Sequence, residues 1–306
     1  MDLSIVIINY NTKNITIECI NSVLDNTKNF SFEIILVDNA SVDGSYAEFQ
    51  KRFYKYPFIH LIKNNKNLGF AYANNIGAER AKGRYILFLN SDTVIKNSLF
   101  KEMILWMDKA KDVAVSSCAL KNKDGSLQGS GGYFPTLSKV FAWMFFLEDV
   151  PFLDRLVKPF HPVHSKSIFY NGLGYFKKER RQDWVTGAFF LIKKEIFEKA
   201  GGFNPDYFMY TEEVDLCYRV KKMGYDIAYL PQWEIIHLGG ASSTKEFPII
   251  SEYKGIKLFY KKNMPTWQYP LMRAFLKGGA LIRSLIFGIL DGKAAFVTYV
   301  KAFKIA

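Results

Sequence analysis

Three carboxylates lie close together between residues 206 and 224, in a segment with a helical pattern. Glu212 and Glu213 are adjacent, and Asp215 follows two positions later. Adjacent carboxylates raise one another's pKa values, so they need a cation, a hydrogen-bond network or a role as proton acceptor. The helix macrodipole would also stabilise them if Thr211 were the N-cap. The segment therefore predicts general-base chemistry or an ordinary acidic first turn, and other segments must decide.

Polar residues also follow three short apolar runs that read as β-strands. They occupy positions 9–11, 38–41 and 90–92. Asn, Asp and Ser commonly cap helices and form turns, so one such motif alone is an ordinary strand end. Because the carboxyl ends of parallel strands meet at one edge of a sheet, the three together predict a shared ligand crevice.

The elements that would hold these motifs alternate between strands and helices. Strands are predicted at residues 3–8, 33–37, 58–62, 84–89, 113–118 and 184–192, and a short helix at 195–200. Gly201 and Gly202 would close that helix. Repeated β-then-α units predict the α/β class, with a Rossmann-like, mostly parallel sheet flanked by helices. Periodicity fades at residues 129–183, which we interpret as an insertion.

Composition places the chain among globular proteins. It has 306 residues, 49% of them hydrophobic, which can fill a sizeable core. Three widely separated cysteines argue against a disulfide framework or a zinc cluster and favour a reducing cytosol. The first residues lack the pattern of a secretory signal, and the most apolar stretches are too short to span a bilayer. We therefore expect a cytoplasmic protein.

The charge balance narrows the class of partner. Lys and Arg number 41 against 29 Asp and Glu, a net charge of +12, which favours a polyanion such as nucleic acid, an acidic membrane face or a phosphorylated ligand. A basic protein that binds nucleic acid or anionic surfaces without catalysis is the alternative function, but it leaves the strand-end motifs unexplained. A dinucleotide oxidoreductase would need a Gly-rich turn after the first strand. A hydrolase with paired carboxylates would leave the strand ends without a role.

The last part of the chain is basic and apolar. A helix is predicted at 251–262, and residues 271–306 contain one acidic residue, Asp291. We expect helix breaks at 278–279 and 291–292, where glycines occur. Arginines and lysines interleave with Leu, Ile and Phe, a pattern typical of short amphipathic helices at a membrane interface. Terminal helices packed on the core are the other interpretation.

The motifs taken together resemble a known family. They are SIVIINYN at 4–11, VDNASVDGS at 37–45, NLGFAYANNIG at 67–77 and LNSDT at 89–93. Gly187, the GGF run at 201–203, the acidic segment and HLGGAS at 237–242 continue the series. In order and spacing they resemble the family 2 glycosyltransferases over about residues 3–243.

The resemblance implies a GT-A fold and the transfer of a sugar from a nucleotide-sugar to a hydroxyl, with inversion at the anomeric carbon. Residues 1–243 would form the catalytic domain, with a nucleotide-binding half (1–120) and an acceptor-binding half (121–243). Residues 244–306 would be a helical, membrane-associating extension. The donor would be linked to UDP or dTDP. Residues implied to contact it are Asn9, Asn11, Asp38, Asn67, Asn74, Asn75 and Asn90.

The resemblance also implies a divalent cation, Mg²⁺ or Mn²⁺, that bridges the donor's phosphates and stabilises the leaving diphosphate. Asp92 and His237 would be its protein ligands. Family members often carry aspartates at both ends of a three-residue motif, whereas Asn90 takes the first place here.

The acceptor hydroxyl must lose a proton as it attacks, which requires a carboxylate within hydrogen-bond reach. Glu213 matches the family's base position, where an aspartate is usual. Asp215 is the second candidate, and Glu212 belongs to the same catalytic group.

The aromatic run at 207–210 resembles that of rhamnosyltransferase-like bacterial enzymes of surface-polysaccharide synthesis. This subgroup implies a polyprenyl-diphosphate-linked saccharide acceptor. The sugar would then be rhamnose, and the enzyme would lie peripherally on the inner, anionic face of the plasma membrane. No nucleic acid partner is expected, and the oligomeric state is not predicted.

Overall fold

A computed structural model describes residues 1–150, 160, 172–239 and 246–306. In these residues nine strands form one sheet: β1 (Leu3–Asn9), β2 (Phe32–Asp38), β3 (Ile59–Lys63), β4 (Tyr85–Asn90), β5 (Thr93–Val94), β6 (Val113–Lys121), β7 (Arg180–Gln182), β8 (Phe189–Lys193) and β9 (Asp226–His237).

The α-helices of the described residues are α1 (Lys13–Asn26), α2 (Ser45–Phe53), α3 (Gly69–Arg80), α4 (Phe100–Lys109), α5 (Leu137–Met144), α6 (Lys194–Lys199), α7 (Glu212–Lys222), α8 (Glu246–Asn263), α9 (Gln268–Leu290) and α10 (Lys293–Ile305). The same described residues also contain two short 3₁₀ helices, at Leu147–Asp149 and Gly172–Lys177.

The strand order is β3-β2-β1-β4-β8-β6-β9-β5, with β7 beside β9. Strands β1 to β4 run parallel, β8 runs antiparallel to both of its neighbours, and β6 and β9 are parallel. Asn9 pairs with Asp38, and Ile8 pairs with Asn90. The polar motifs that follow β1, β2 and β4 therefore meet at one edge, as the sequence predicts.

Helices cover both faces of the sheet, which explains why the central strands are apolar throughout. On β1, the side chain of Val6 packs into one apolar cluster, whereas Ile5 and Ile7 pack into the other. Helix α3 lies close to β1 because Gly77 has no side chain. A Cβ at that position would clash with Val6.

The structure corrects two predicted boundaries. The strand expected at 184–192 begins only at Phe189, and residues 185–188 form a loop instead. The break expected at 278–279 is absent, because α9 continues through both glycines. Gly279 instead allows close packing on Met144, with which a Cβ would clash. The second expected break, at 291–292, separates α9 from α10 as predicted.

The C-terminal helices pack on the core by one face. Met272 and Leu276 of α9 are fully buried, and Arg283 is also buried, at 6% exposed. Arg283 donates to the backbone carbonyls of Trp143 and Met144 in α5, so this arginine ties the helix to the protein and does not face a membrane. Within the described residues, no helix combines the length and apolar character needed to cross a bilayer. The expected boundary at 243–244 lies outside the described residues.

Candidate active site

A cavity of about 430 Å³ opens beside the carboxyl ends of β1, β2 and β4. Four residues singled out from the sequence line it: Asn67, Asn90, Asp92 and His237. The others lie outside its described wall: Asn9, Asn11, Asp38, Asn74, Asn75, Glu212, Glu213 and Asp215. Residues that the sequence analysis did not assign to donor, metal or base complete the wall, among them Thr186 and Phe247, and Tyr10, Asn39, Phe208 and Tyr210 from the predicted polar and aromatic motifs.

Asp92 and His237 meet because β5 pairs with β9. Thr93 is opposite His237 in that pairing, and Leu238 N donates to the backbone oxygen of Asp92 at 2.8 Å. The His237 Nε2 atom then lies 3.3 Å from Asp92 Oδ1. Asn90 Nδ2 is 3.5 Å from the same ring nitrogen. Both ends of the 90–92 motif therefore face one imidazole.

This pair fits a divalent cation. Two neighbouring ligands of an octahedral cation with bonds of about 2.1 Å lie about 3.0 Å apart. The 3.3 Å separation of the Asp92 and His237 atoms is close to that value. In the part of the chain that the structure describes, no three His, Cys, Asp or Glu side chains form a metal cluster. Asp92 and His237 are the two candidate metal ligands on the described wall of the cavity.

Asparagines hold the neighbouring wall of the cavity. Asn39 Nδ2 donates to Asn67 Oδ1 at 2.9 Å, and Asn39 Oδ1 accepts from Asn64 Nδ2 at 3.0 Å and from Leu68 N at 3.1 Å. Asn67 Oδ1 also accepts from Gly69 N. This network fixes the loop before α3 against the end of β2. Asn39, the residue after the predicted Asp38, is the one that reaches the cavity.

Asp38 and Asn9 lie behind this wall and are almost fully buried. Asn9 Nδ2 donates to Asp38 Oδ1 and to Ser41 Oγ, both at 2.8 Å, and Ser41 N donates to Asp38 Oδ2 at 3.2 Å. Asn11 is exposed and accepts from Val42 N at 2.8 Å. The three side chains hold the 38–41 turn against the end of β1.

The remaining two asparagines face other partners. Asn74 is buried in α3 and donates to Phe70 O at 3.0 Å. Asn75 donates to Phe203 O at 2.7 Å and accepts from Phe203 N at 2.9 Å. Asn75 therefore connects α3 to the turn at Gly202. That turn ends α6, as the sequence predicts.

The acidic run begins α7 after an unusual backbone. Tyr210 and Thr211 both have left-handed φ values, +70° and +73°. Thr211 occupies the N-cap position without a capping bond from its side chain. Glu212 and Glu213 are buried, 3% and 9% exposed. Burial, followed by the charge of Glu213, raises the pKa of Glu212 well above its ordinary value.

Asp215 is bound within the protein. Arg219 pairs with its Oδ2 atom at 2.8 Å, and Asn263 Nδ2 donates to its Oδ1 atom at 2.8 Å. The Tyr207 hydroxyl lies 3.4 Å from the same Oδ1. These contacts connect α7 to α8 and leave the carboxylate 1% exposed.

Phe208 and Tyr210 of the aromatic run at 207–210 form the lip of the cavity. Phe70 N donates to Phe208 O at 2.6 Å, and a Cβ at Gly69 would clash with the same oxygen. Phe247 of α8 packs its ring against Phe208 and Tyr210. The aromatic motif was visible in the sequence, but Phe247 carried no signal because its contact depends on how α8 packs.

Comparison with known proteins identifies the family. The family model described as Glycosyl transferase family 2 matches residues 4–217. An N-acetylglucosaminyl-diphospho-decaprenol L-rhamnosyltransferase of Mycobacterium tuberculosis is 24% identical over 265 residues, which are 82% of this chain and 81% of that protein. The rhamnosyltransferase WbbL of Escherichia coli is 28% identical over 177 residues, 55% of this chain and 60% of that protein.

Solved structures share the fold. The mannosyltransferase PcManGT from Pyrobaculum calidifontis, in complex with GDP-Man and Mn²⁺, aligns with a TM-score of 0.59 at 14% identity, over 98% of this chain and 73% of that one. GalNAc-T7 with UDP, GalNAc and Mn²⁺ aligns with a TM-score of 0.63 at 16% identity, over 98% and 56%. The GT-A fold predicted from the sequence is confirmed. With the family model matched over residues 4–217, this chain belongs to glycosyl transferase family 2.

Proposed function

We propose that this glycosyltransferase is inverting and metal-dependent. It moves a sugar from a UDP- or dTDP-linked donor to a hydroxyl of a polyprenyl-diphosphate-linked saccharide. The observation that carries the proposal is the position of Asp92 and His237, 3.3 Å apart in the same cavity wall as Asn39 and Asn67. A carboxylate and an imidazole beside a row of amides suit a ligand with a diphosphate at one end and a nucleoside at the other.

The nucleoside would lie against Asn39, Asn67 and Tyr10, which line the cavity beside β1 and β2. In this proposal Asp38 and Asn9 act one layer behind, because their hydrogen bonds hold the turn that follows β2. Asn11, Asn74 and Asn75 would likewise shape the site without touching the base.

The diphosphate would lie at Asp92, His237 and Asn90. Mg²⁺ or Mn²⁺, when bound, stabilises the negative charge of the departing nucleoside diphosphate. The protein's own contribution is to hold Asp92 Oδ1 and His237 Nε2 on the same side of the cavity through the β5–β9 pairing. Asn90 Nδ2 adds a hydrogen-bond donor for a phosphate oxygen.

Glu213 is the proposed base. The raised pKa of Glu212 favours its protonated, neutral form. The one negative charge of the Glu212–Glu213 pair would then reside on Glu213. Glu213 would then accept the proton of the acceptor hydroxyl as that oxygen attacks the anomeric carbon from the face opposite the diphosphate. Asp215 is the weaker choice, since Arg219 and Asn263 already occupy its oxygens.

The acceptor proposal rests on the relatives and on the aromatic lip. The mycobacterial relative is named for a polyprenyl-diphosphate-linked N-acetylglucosamine, and both relatives are named rhamnosyltransferases. Phe208, Tyr210 and Phe247 offer aromatic surface at the mouth of the cavity, where a sugar ring can pack.

The surface of α9 supports a position at the membrane. Leu281, Leu285 and Ile289 repeat every fourth residue and are 55%, 58% and 85% exposed, so they form one apolar stripe. Exposed lysines follow on α10 at positions 293, 301 and 304. An apolar stripe on a helix that a basic helix follows is suited to an anionic lipid surface, where the lipid-linked acceptor would reside.

The proposal is tested by direct transfer. The purified chain is incubated with dTDP-rhamnose, other dTDP-sugars or UDP-sugars, polyprenyl-diphosphate N-acetylglucosamine and Mn²⁺, and the products are analysed by mass spectrometry and proton NMR. We expect a disaccharide lipid whose new anomeric centre is inverted relative to the donor, and no product with EDTA. A retained configuration, or full turnover in EDTA, would contradict the mechanism.

A further inference from the structure

A side chain outside all the sequence motifs contacts the imidazole of His237 at Nδ1, the ring nitrogen that does not face Asp92. Gln128 lies in the loop that follows β6, and its Oε1 atom is 2.7 Å from His237 Nδ1. Its Nε2 atom donates to the backbone carbonyl of His237 at 2.7 Å. One amide therefore contacts both the ring and the backbone of the same histidine.

The backbone contact fixes which way the amide faces. A carbonyl oxygen only accepts hydrogen bonds, so the Gln128 atom next to the His237 carbonyl must be the NH₂ group. The opposite orientation would place two oxygens against each other at hydrogen-bond distance. Gln128 Oε1 must consequently face the ring, and His237 Nδ1 must carry the hydrogen that this oxygen accepts.

The turn before Gln128 supports the same direction. Its alternate residues form a chain of donors: Ser126 Oγ donates to Asp124 Oδ1 at 2.6 Å, Asn122 Nδ2 to Ser126 Oγ at 2.8 Å, and Gln128 Nε2 to Asn122 Oδ1 at 2.6 Å. An ionised carboxylate only accepts, and the serine hydrogen bonds keep the pKa of Asp124 below its ordinary value. In every hydrogen bond between the His237 ring and Asp124, the donor is therefore on the side of the ring and the acceptor on the side of Asp124.

We propose that Gln128 is a positioning residue that holds His237 in the tautomer protonated at Nδ1. In this neutral tautomer the Nε2 atom, which lies 3.3 Å from Asp92 Oδ1, carries no hydrogen. The lone pairs of His237 Nε2 and Asp92 Oδ1 then point toward the same position. They repel each other in the absence of a cation, and both can bind a cation placed between them. The inference rests on the proposed metal site. In it, Gln128 sets the orientation and the basicity of the His237 ligand.

The alternative role for Gln128 is to brace the loop. Both roles use the same residue, but they depend on different atoms. Bracing depends on the NH₂ group, which binds the His237 carbonyl and Asn122, whereas the tautomer depends on the acceptor oxygen alone. Gln128→Glu keeps an acceptor for Nδ1–H and loses the donors. Gln128→Leu loses both.

The test reads the tautomer directly. The chain contains four histidines, so ¹⁵N-histidine labelling gives few signals, and His237→Asn assigns the one of interest. Spectra of metal-free protein in EDTA at about pH 8 distinguish the two neutral tautomers by their nitrogen shifts. We expect the Nδ1–H form in wild type and in Gln128→Glu, and a mixture of both forms in Gln128→Leu. Lys123→Ala, in the same turn, is the matched control and should match wild type.

Metal affinity gives the second readout. Mn²⁺ is titrated in the presence of UDP or dTDP and followed by electron paramagnetic resonance. Gln128→Leu should weaken Mn²⁺ binding about 10- to 100-fold, the usual effect of losing a histidine's hydrogen-bond partner. Gln128→Glu should stay within a few-fold of wild type. Equal losses in both variants would favour bracing and overturn the inference, provided that both keep the wild-type circular dichroism spectrum.

The tautomer measurement separates this inference from the proposed function. An Nε2–H tautomer in wild type, or an unchanged tautomer in Gln128→Leu, would overturn the role of Gln128 whether or not the enzyme uses a metal. Absence of Mn²⁺ binding by wild type with either nucleotide would instead reject the metal site, and the assignment of the Nδ1–H tautomer to Gln128 would still be decided by NMR.

Discussion

Gly255 of α8 packs directly on Thr211, the residue that precedes Glu212 and Glu213. A Cβ at Gly255 would clash with the Oγ1 and Cβ atoms of Thr211. Thr211 is buried and has a left-handed backbone, which is costly for a β-branched residue and persists only where the surroundings enforce it. Helix α8 therefore holds the start of α7, and with it the position of Glu212 and Glu213.

Replacing Gly255 with Ala tests this contact. Alanine in a helix interior ordinarily adds up to about 1 kcal/mol of stability relative to glycine. Here we expect the methyl group to displace Thr211, so that kcat falls about tenfold or more while donor binding changes little. Steady-state kinetics and calorimetric donor titration measure the two effects. Gly278→Ala in α9 is the matched control, because its Cβ would meet only the far edge of the Phe145 ring.

Replacing Asp92 or His237 with Ala should remove the proposed metal site. Each change deletes one of the two protein ligands, so we expect donor-dependent Mn²⁺ binding to be lost and kcat/KM to fall at least about 100-fold. Metal titration of each variant provides the measurement. Asp112→Ala is the control, because this exposed carboxylate precedes β6 at the opposite end of the sheet. An unchanged Mn²⁺ titration in Asp92→Ala would place the cation elsewhere.

Replacing Glu213 with Gln should remove only the proton acceptor. The amide has nearly the same shape, so the protein should fold and bind the nucleotide-sugar normally. We expect kcat to fall about 10²- to 10⁴-fold, the usual contribution of a general base. Single-turnover kinetics separate this step from binding. Wild-type turnover in Glu213→Gln, together with a large loss in Asp215→Asn at unchanged melting temperature, would transfer the role of base to Asp215.

Replacing Glu212 with Gln should stabilise the protein increasingly as the pH rises. Burial and the charge of Glu213 raise the pKa of Glu212, so the folded state binds this proton more tightly than the unfolded state does. Wild type therefore loses stability as the pH rises above the ordinary glutamate pKa, and the variant avoids that loss. Melting temperatures of both proteins between about pH 5 and pH 8 measure the difference. A constant difference across this range would contradict the assignment.

The apolar stripe on α9 can be tested without deleting buried residues. Truncation after residue 270 would remove Met272 and Leu276 from the core, so loss of binding by that fragment would not be informative. We instead expect the triple change of Leu281, Leu285 and Ile289 to Gln to reduce flotation with anionic vesicles at least about tenfold, at unchanged melting temperature. Leu105→Gln, an exposed apolar residue on α4, is the control. Equal flotation of the triple variant and wild type would show that the stripe does not contribute to membrane binding.

The sequence alone was sufficient for the class of fold and for the edge of the sheet where the ligand site lies. Apolar runs of five to seven residues predict buried strands, and a polar residue after such a run must lie at the strand's carboxyl end. The position of Asp92 followed from this local pattern. The family motifs added His237, whose distance from Asp92 in the chain hides their contact.

Tertiary structure decided which neighbouring side chain reaches the cavity. Asn39 lines it while Asp38 lies behind, because the chain turns after β2 and the alternation of a strand no longer applies. Composition predicted an interfacial helix with a break at its glycines. Packing instead buries Arg283, and α9 continues through both glycines. Gln128 carried no sequence signal at all. Its contact with His237 exists only because β6 and β9 pair, and long-range pairing is a property of the whole sheet that no local pattern contains.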